Sequence, residues 1–114
     1  MPLAVWLDER TEPQRRAARA VLAVVRRHRG VVVEAVSVGV LVKRDRTVVE
    51  LRAKTRWLEL GLVVVDAIAA DRIARHVELP RGRGHYYTVR LRDAGDVDRE
   101  VRGWVAAALR RRPA

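Results

Sequence analysis

The chain has 114 residues, of which 49% are apolar, so it can bury one hydrophobic core; we predict a single domain over 1–114 with an N-terminal extension at 1–10. Cysteine is absent, which excludes disulfides, thiolate catalysis and zinc sites with cysteine ligands. The formal charge of +10 is typical of proteins that bind an acidic partner such as nucleic acid.

The N-terminal residues show no targeting signal. They lack a basic start followed by a long apolar run, and no stretch of the chain approaches the ~20 apolar residues of a membrane span. We therefore expect a cytoplasmic protein that does not contact a membrane.

The first helix is predicted to begin at Thr11. Its side chain is placed to accept from the backbone of Gln14, and the side chain of Gln14 to reach back, which together form a capping box. Pro13 is compatible with a first helical turn. Apolar residues recur at helical spacing as far as Val25, and Gly30 is the predicted terminator.

A three-strand antiparallel meander over 36–65 is the predicted centre of the fold. Alternation along its first strand puts four valines on one face: Val36, Val38, Val40 and Val42. The polar residues 43–46 form the predicted turn, which pairs Val42 with Thr47 and Val40 with Val49. The third strand, 57–65, has its own apolar face: Leu58, Leu60, Leu62 and Val64. Pairing Arg52 with Trp57 would set Glu50 opposite Glu59.

A second hairpin is predicted from 72–79 and 85–92, joined by a turn at 80–84 that is rich in glycine and proline. Leu79 is set opposite His85, and Val77 opposite Tyr87. In this register one face holds Ile73, Val77, Leu79, Tyr87, Val89 and Leu91. The other face holds His76, Glu78, Tyr86, Thr88, Arg90 and Arg92.

The last helix is predicted over 93–109, with Asp93 as its N-cap and a stop at Pro113. Trp104 is the predicted contact between this helix and the buried face of the meander. The element order predicts an α+β fold: an antiparallel sheet of about five strands, the meander plus the hairpin, with an N-terminal and a C-terminal helix packed on one face.

Catalytic, cofactor and metal sites are not predicted. Ser37 is the only serine and lies in a strand without a nucleophile motif. His76 and Glu78 would share a strand face, but two potential ligands are too few for a metal site. The glycines at 82 and 84 are followed by a strand, whereas a nucleotide-binding glycine loop is followed by a helix.

Basic turns are the predicted contact surface for an anion or a nucleic acid: Lys43, Arg44, Arg46, Lys54, Arg56, Arg81 and Arg83. Codon bias would explain why arginine replaces lysine almost everywhere, but not why carboxylates number only 14. A second expectation is a small-molecule or anion pocket on the polar sheet face, lined by Glu50, Arg52, Trp57 and His76.

Three segments carry a resemblance: 36–64, 71–79 and 85–109. Their matching residues are Glu50-Leu51, Lys54, Trp57-Leu58, Leu60, Asp96-Val97-Asp98 and Trp104. Together they resemble a family of small bacterial domains of unassigned function, found alone, mostly in actinobacteria, or at the C-terminus of so-called predicted transport proteins. The layout is also similar to YdhG-like and YjbR-like small domains. The resemblance implies an α+β fold; no catalytic residues are established for the family, so none is carried over to this chain.

Composition, charge and motifs favour a non-enzymatic binding or regulatory module for an acidic partner, either protein or nucleic acid. The alternative is the small-molecule or anion-binding domain with its pocket on the polar sheet face. A small enzyme is the reading with least support, because nucleophiles and ligand clusters are not recognisable in the sequence. The oligomeric state is left open.

Overall fold

A computed structural model of the protein describes residues 1–110. The helices are α1 (Leu3–Asp8), α2 (Glu12–Val25) and α3 (Arg99–Leu109). The strands are β1 (Val32–Val36), β2 (Gly39–Arg44), β3 (Arg46–Ala53), β4 (Leu58–Val64), β5 (Ile73–Glu78) and β6 (His85–Leu91). They form one antiparallel sheet of six strands in the order β1-β2-β3-β4-β6-β5. The α+β class is confirmed, with one strand more than predicted.

The hydrophobic core lies between the helices and one face of the sheet. Alternate strand residues supply that face: Val40, Val42, Val49, Leu51, Leu58, Leu60, Leu62, Val64, Tyr87, Val89 and Leu91. The helices contribute Val21, Leu22, Val25, Val101, Val105 and Leu109 to the same cluster. Within residues 1–110 no helix packs on the opposite face of the sheet, and none is long and apolar enough to cross a bilayer.

The predicted start of α2 is confirmed. The side chain of Thr11 accepts from the backbone N–H of Gln14 at 3.3 Å, and the Gln14 side chain accepts from Thr11 at 3.2 Å. The Gln14 amide also donates to the carbonyls of Lys54 at 2.6 Å and Trp57 at 3.2 Å. One buried glutamine therefore both caps α2 and holds the turn between β3 and β4.

The predicted first strand is divided in two. The chain turns at 37–38, Gly39 begins β2, and Val38 is 61% exposed rather than buried. Val40 pairs with Leu51 and Val42 with Val49, two residues away from the predicted register. Because two residues is one full repeat of the side-chain alternation, Val40, Val42, Val49 and Leu51 still reach the core. A bulge after Val42 and a tight turn at Asp45 (φ 64°) absorb the difference.

The pairing of β3 with β4 also differs from the prediction by two residues. Arg52 lies opposite Glu59, and Glu50 lies opposite Gly61, so the two glutamates do not face each other. The turn lies one residue later in the chain than the predicted break at 53–56, and the N–H of Lys54 closes it by donating to the carbonyl of Trp57 at 2.8 Å. The apolar face of β4 is again preserved.

The predicted register of the second hairpin is wrong by one residue. The side chains of β5 therefore lie on the face of the sheet opposite to the one predicted for them. Glu78 lies opposite His85, and His76 lies opposite the buried Tyr87. The backbone bond from Leu79 N–H to the carbonyl of Gly84, at 2.8 Å, leaves a four-residue turn in place of the predicted five. His76 and Glu78 therefore lie on the helix-bearing side of the sheet edge, opposite to the predicted side.

The N-cap of the last helix lies five residues later in the chain than predicted. Asp98 caps α3 by accepting from the N–H of Val101 at 3.0 Å, whereas Asp93 caps a short 3-10 turn at 94–96. Trp104 is only partly buried, whereas Trp6 in α1 is 1% exposed. Residues 1–10, predicted as an extension, thus supply the buried indole of the core. The predicted stop at Pro113 lies outside the described residues.

Candidate functional site

The helix-free face of the sheet carries a trough formed by two adjoining cavities of about 200 and 280 Å3. Thr47, Val48 and Val63 line both cavities, and the two valines are half-buried. Their alternation in β3 and β4 directs these side chains away from the core. We call this concavity, with its lining residues at both ends, the open-face trough.

A hydrogen-bonded pair closes one end of the trough. The hydroxyl of Tyr86 donates to Glu50 Oε1 at 2.7 Å, and the Glu50 side chain is only 15% exposed. Arg52 Nε lies 3.6 Å from the same carboxylate oxygen. The pair places a partly desolvated carboxylate, with acceptor capacity remaining, at the end of an apolar floor.

Gly61 makes room for this pair. It lies opposite Glu50 in the sheet, on the strand between β3 and β6. A Cβ at position 61 would lie 2.7 Å from Glu50 Cγ and 2.9 Å from the Tyr86 hydroxyl oxygen. The missing side chain therefore lets Glu50 and Tyr86 meet across β4, which is the close approach that a glycine inside a strand permits.

Two cations lie at the other end. Arg46 follows the β2–β3 turn and Arg83 lies in the β5–β6 turn, and both line the larger cavity with Leu79 and Pro80. These two turns meet at one end of the sheet, so residues 37 positions apart in the chain face the same cavity. Both arginines are exposed, which leaves their guanidinium groups accessible to a ligand.

The other predicted basic contacts are distributed differently. Lys43 pairs with Glu34 at 3.5 Å, and Arg44 donates to the carbonyls of Leu109 and Arg29, both at 2.7 Å. Arg44 therefore stabilises the end of α3. Three more lie away from the trough: Arg81, exposed in its turn, and Lys54 and Arg56, at the opposite end of β3. The structure brings Arg46 and Arg83 together and separates them from the β3–β4 turn.

The predicted pocket is only partly assembled. Glu50 and Arg52 are neighbours on the helix-free face. Trp57 lies outside the trough, where its ring packs against the guanidinium of Arg90, 4.7 Å from the ring centroid. His76 does not belong to this pocket, because the one-residue error in the hairpin register places it on the other face. The sequence reading missed Gly61, Val48 and Val63 as lining residues; the glycine within a leucine- and valine-rich strand was the one available signal.

The pKa of Tyr86 is raised to about 12 from an ordinary value of 10.0, first by burial and then by the hydrogen bond that Glu50 accepts and the negative charge of Glu50. The charge of Glu59 acts in the same direction, and Arg52 opposes it. The folded protein therefore holds the phenol proton more tightly than the unfolded chain does.

Alkaline pH should consequently destabilise the fold through Tyr86. Its contribution is complete below pH ~10 and is lost as the pH rises through the folded pKa of about 12. Unfolding with urea at a series of pH values should show a steeper fall in the free energy of unfolding over this window for the wild type than for Tyr86→Phe. Parallel curves would contradict the assigned burial of the phenol.

Among residues 1–110, no three histidine, aspartate or glutamate side chains are arranged to hold a metal ion.

No protein-family model matches the chain, and no curated protein or solved structure is significantly similar to it. The resemblance to the family of small bacterial domains therefore stays a prediction, and the proposal for function rests on the geometry of the trough.

Proposed function

We propose that this protein is a non-enzymatic binding module whose open-face trough binds a small organic anion. The observation that carries the proposal is the combination of an apolar floor, a carboxylate–phenol pair at one end and two accessible arginines at the other. Ligand sites in proteins are commonly concave and apolar with a few oriented polar groups. The proposal develops the anion-pocket expectation, with a lining that differs from the predicted one.

Each part of the trough selects a part of the ligand. The apolar body would cover Val48 and Val63, because their burial from water is favourable. A carboxylate or phosphate would lie between Arg46 and Arg83, since guanidinium groups bind planar or tetrahedral anions through paired N–H donors. A hydroxyl or amine at the far end would donate to Glu50.

An aromatic organic anion, 8-anilino-1-naphthalenesulfonate, is a direct probe of the trough. Its fluorescence should rise on binding, and the double variant Arg46→Ala/Arg83→Ala should weaken binding by about tenfold or more, because two charge-assisted contacts are lost. Far-ultraviolet circular dichroism and the thermal midpoint would show whether the double variant keeps its fold, since the dye also binds loosened proteins.

The matched control removes equal charge from the helical side of the molecule. Arg19 on α2 and Arg27 just beyond it are exposed and lie on the side away from the trough. Arg19→Ala/Arg27→Ala should leave dye affinity within about twofold of the wild type, as expected for screened charges beyond a Debye length. If both double variants weaken dye binding equally, the dye is attracted by net charge alone, and the proposal that it binds in the trough loses its support.

An acidic macromolecule, protein or nucleic acid, is the second candidate partner. It is favoured by the net charge of +10 and by the position of Arg46 and Arg83 in one cavity at the end of the sheet. A fluorescent single-stranded oligonucleotide distinguishes this candidate. If Arg46 and Arg83 contact phosphates, their removal should lower the log–log salt slope by about 1.4. If the oligonucleotide binds, the double variant shows this lower salt slope and the dye does not bind, the acidic macromolecule replaces the small organic anion as the proposed ligand.

A further inference from the structure

Two histidines meet at the β5–β6 edge, away from the open-face trough. His76 Nε2 and His85 Nδ1 are 2.9 Å apart. The observed register brings them together, because His76 lies opposite Tyr87 and His85 lies opposite Glu78, so all four side chains share a face. In the register predicted from the sequence, His76 and His85 were on opposite faces.

A buried ring holds the two imidazoles in place. His76 stacks on Tyr87 with the ring centroids 4.5 Å apart and the planes 16° apart, and His85 stacks with it at 5.9 Å and 23°. Tyr87 is 1% exposed, and its hydroxyl accepts from the N–H of Ile68 at 2.7 Å. Stacking on this ring restricts the positions open to both imidazoles, which reduces the side-chain entropy lost when a ligand binds between them.

The two facing nitrogens are close enough to bind one metal ion. Imidazole nitrogens lie about 2.0–2.1 Å from a bound ion, so two of them on one ion are about 2.9 Å apart at a right angle and about 3.3 Å apart in a tetrahedron. The observed 2.9 Å is an ordinary N–H···N hydrogen-bond length, so only a small movement is needed, and the distance itself does not select a metal. Copper(II) and nickel(II) are the candidates because imidazole is a preferred ligand of both, and copper(II) binds most tightly among the divalent first-row ions.

We propose that His76 and His85 form an exchangeable two-histidine site for a divalent transition-metal ion, copper or nickel. Without metal, one of the two facing nitrogens donates its N–H to the other. Metal binding moves that proton through solvent to the other nitrogen of the same ring, and both rings turn so that their lone pairs point at the ion. Both rings reach solvent, so water completes the coordination shell. The site needs only two protein ligands, which is consistent with the absence of three-ligand clusters in the described chain.

Among the charged groups near the two histidines, one carboxylate favours a bound cation and the neighbouring arginines oppose it. Glu78 lies directly opposite His85 and adds negative charge, while the chain as a whole is strongly basic. Arg75 and Arg83 are the nearest cationic residues along the two strands and their turn; Arg75 pairs with Thr88 on the opposite face. Affinity should therefore be modest.

Titration calorimetry of the full chain without an affinity tag, using nickel(II) and copper(II) chlorides, tests the site. We expect one ion per chain, with His76→Gln and His85→Gln each weakening binding by more than the roughly 10–100-fold that loss of an outer-shell partner costs. Nickel should raise the thermal midpoint of the wild type and not that of either variant.

The third histidine provides the matched control. His28 follows α2 and is remote in sequence from the hairpin, so His28→Gln should bind nickel as the wild type does. Circular dichroism should show all three variants folded, because the replaced rings are solvent-accessible. The site is refuted if the wild type binds neither ion, if binding survives in both hairpin variants, or if His28→Gln weakens it equally.

Discussion

Replacing Trp6 by alanine should lower the free energy of unfolding by about 3–5 kcal/mol, the usual cost of deleting a buried indole. Trp6 is 1% exposed and belongs to the same apolar cluster as the strands and the two long helices. Its loss leaves a cavity among the strands and the helices that surround the ring. Urea unfolding followed by circular dichroism measures the change.

Trp104→Ala is the matched comparison, because it removes the same side chain from a helix on the same sheet face. Trp104 is only partly buried, and the guanidinium of Arg72 lies 6.0 Å from its ring centroid. Its loss should cost about 1–2 kcal/mol, in proportion to the smaller area withdrawn from water. An equal or larger loss than that of Trp6→Ala would mean that α3, and not α1, supplies the main aromatic contact.

The contrast between the two tryptophans shows which part of the fold can be predicted from the spacing of apolar residues in the sequence. Trp104 lies within an amphipathic stretch and was predicted to be buried by its spacing alone. Trp6 lies in a six-residue helix with no apolar repeat long enough to be recognised. Whether a short terminal segment docks depends on the space that the other elements leave, and that is a tertiary property.

The strand predictions show a second limit. Two registers were wrong by two residues and still predicted the buried face, since side chains alternate with a period of two. The hairpin register was wrong by one residue and therefore assigned His76 to the wrong face. The cause is the turn, where Arg81 and Gly82 both adopt positive φ, at 59° and 65°, in a conformation that composition does not specify for arginine.

The trough itself could be predicted only in part. Alternation correctly placed Glu50 and Tyr86 on the face away from the core. The meeting of Arg46 with Arg83 depends on the strand order, in which β6 and not β5 lies beside β4. Nothing in the pattern of either hairpin determines which of its strands joins the meander, so the two cationic turns could not be assigned to one cavity.

Gly39→Ala should destabilise the protein by roughly 2–6 kcal/mol, from backbone strain of about 1–3 kcal/mol together with overpacking of similar size. Gly39 has φ 157°, at the end of the turn that separates β1 from β2. A Cβ there would overlap the backbone carbonyl of Leu51, which is itself held in the sheet and cannot move aside as a side chain could. The thermal midpoint and urea unfolding measure the loss.

The same substitution at Gly103 should have the opposite sign. Gly103 lies in α3 and has open space around the position of a Cβ, so alanine should stabilise the helix by about 0.5–1 kcal/mol through its lower backbone entropy in the unfolded chain. Comparing the two variants cancels the general effect of adding a methyl group. If Gly39→Ala proves neutral, β1 and β2 do not turn at 37–38 as described, and the continuous strand over 36–42 expected from the valine alternation would have to be reconsidered.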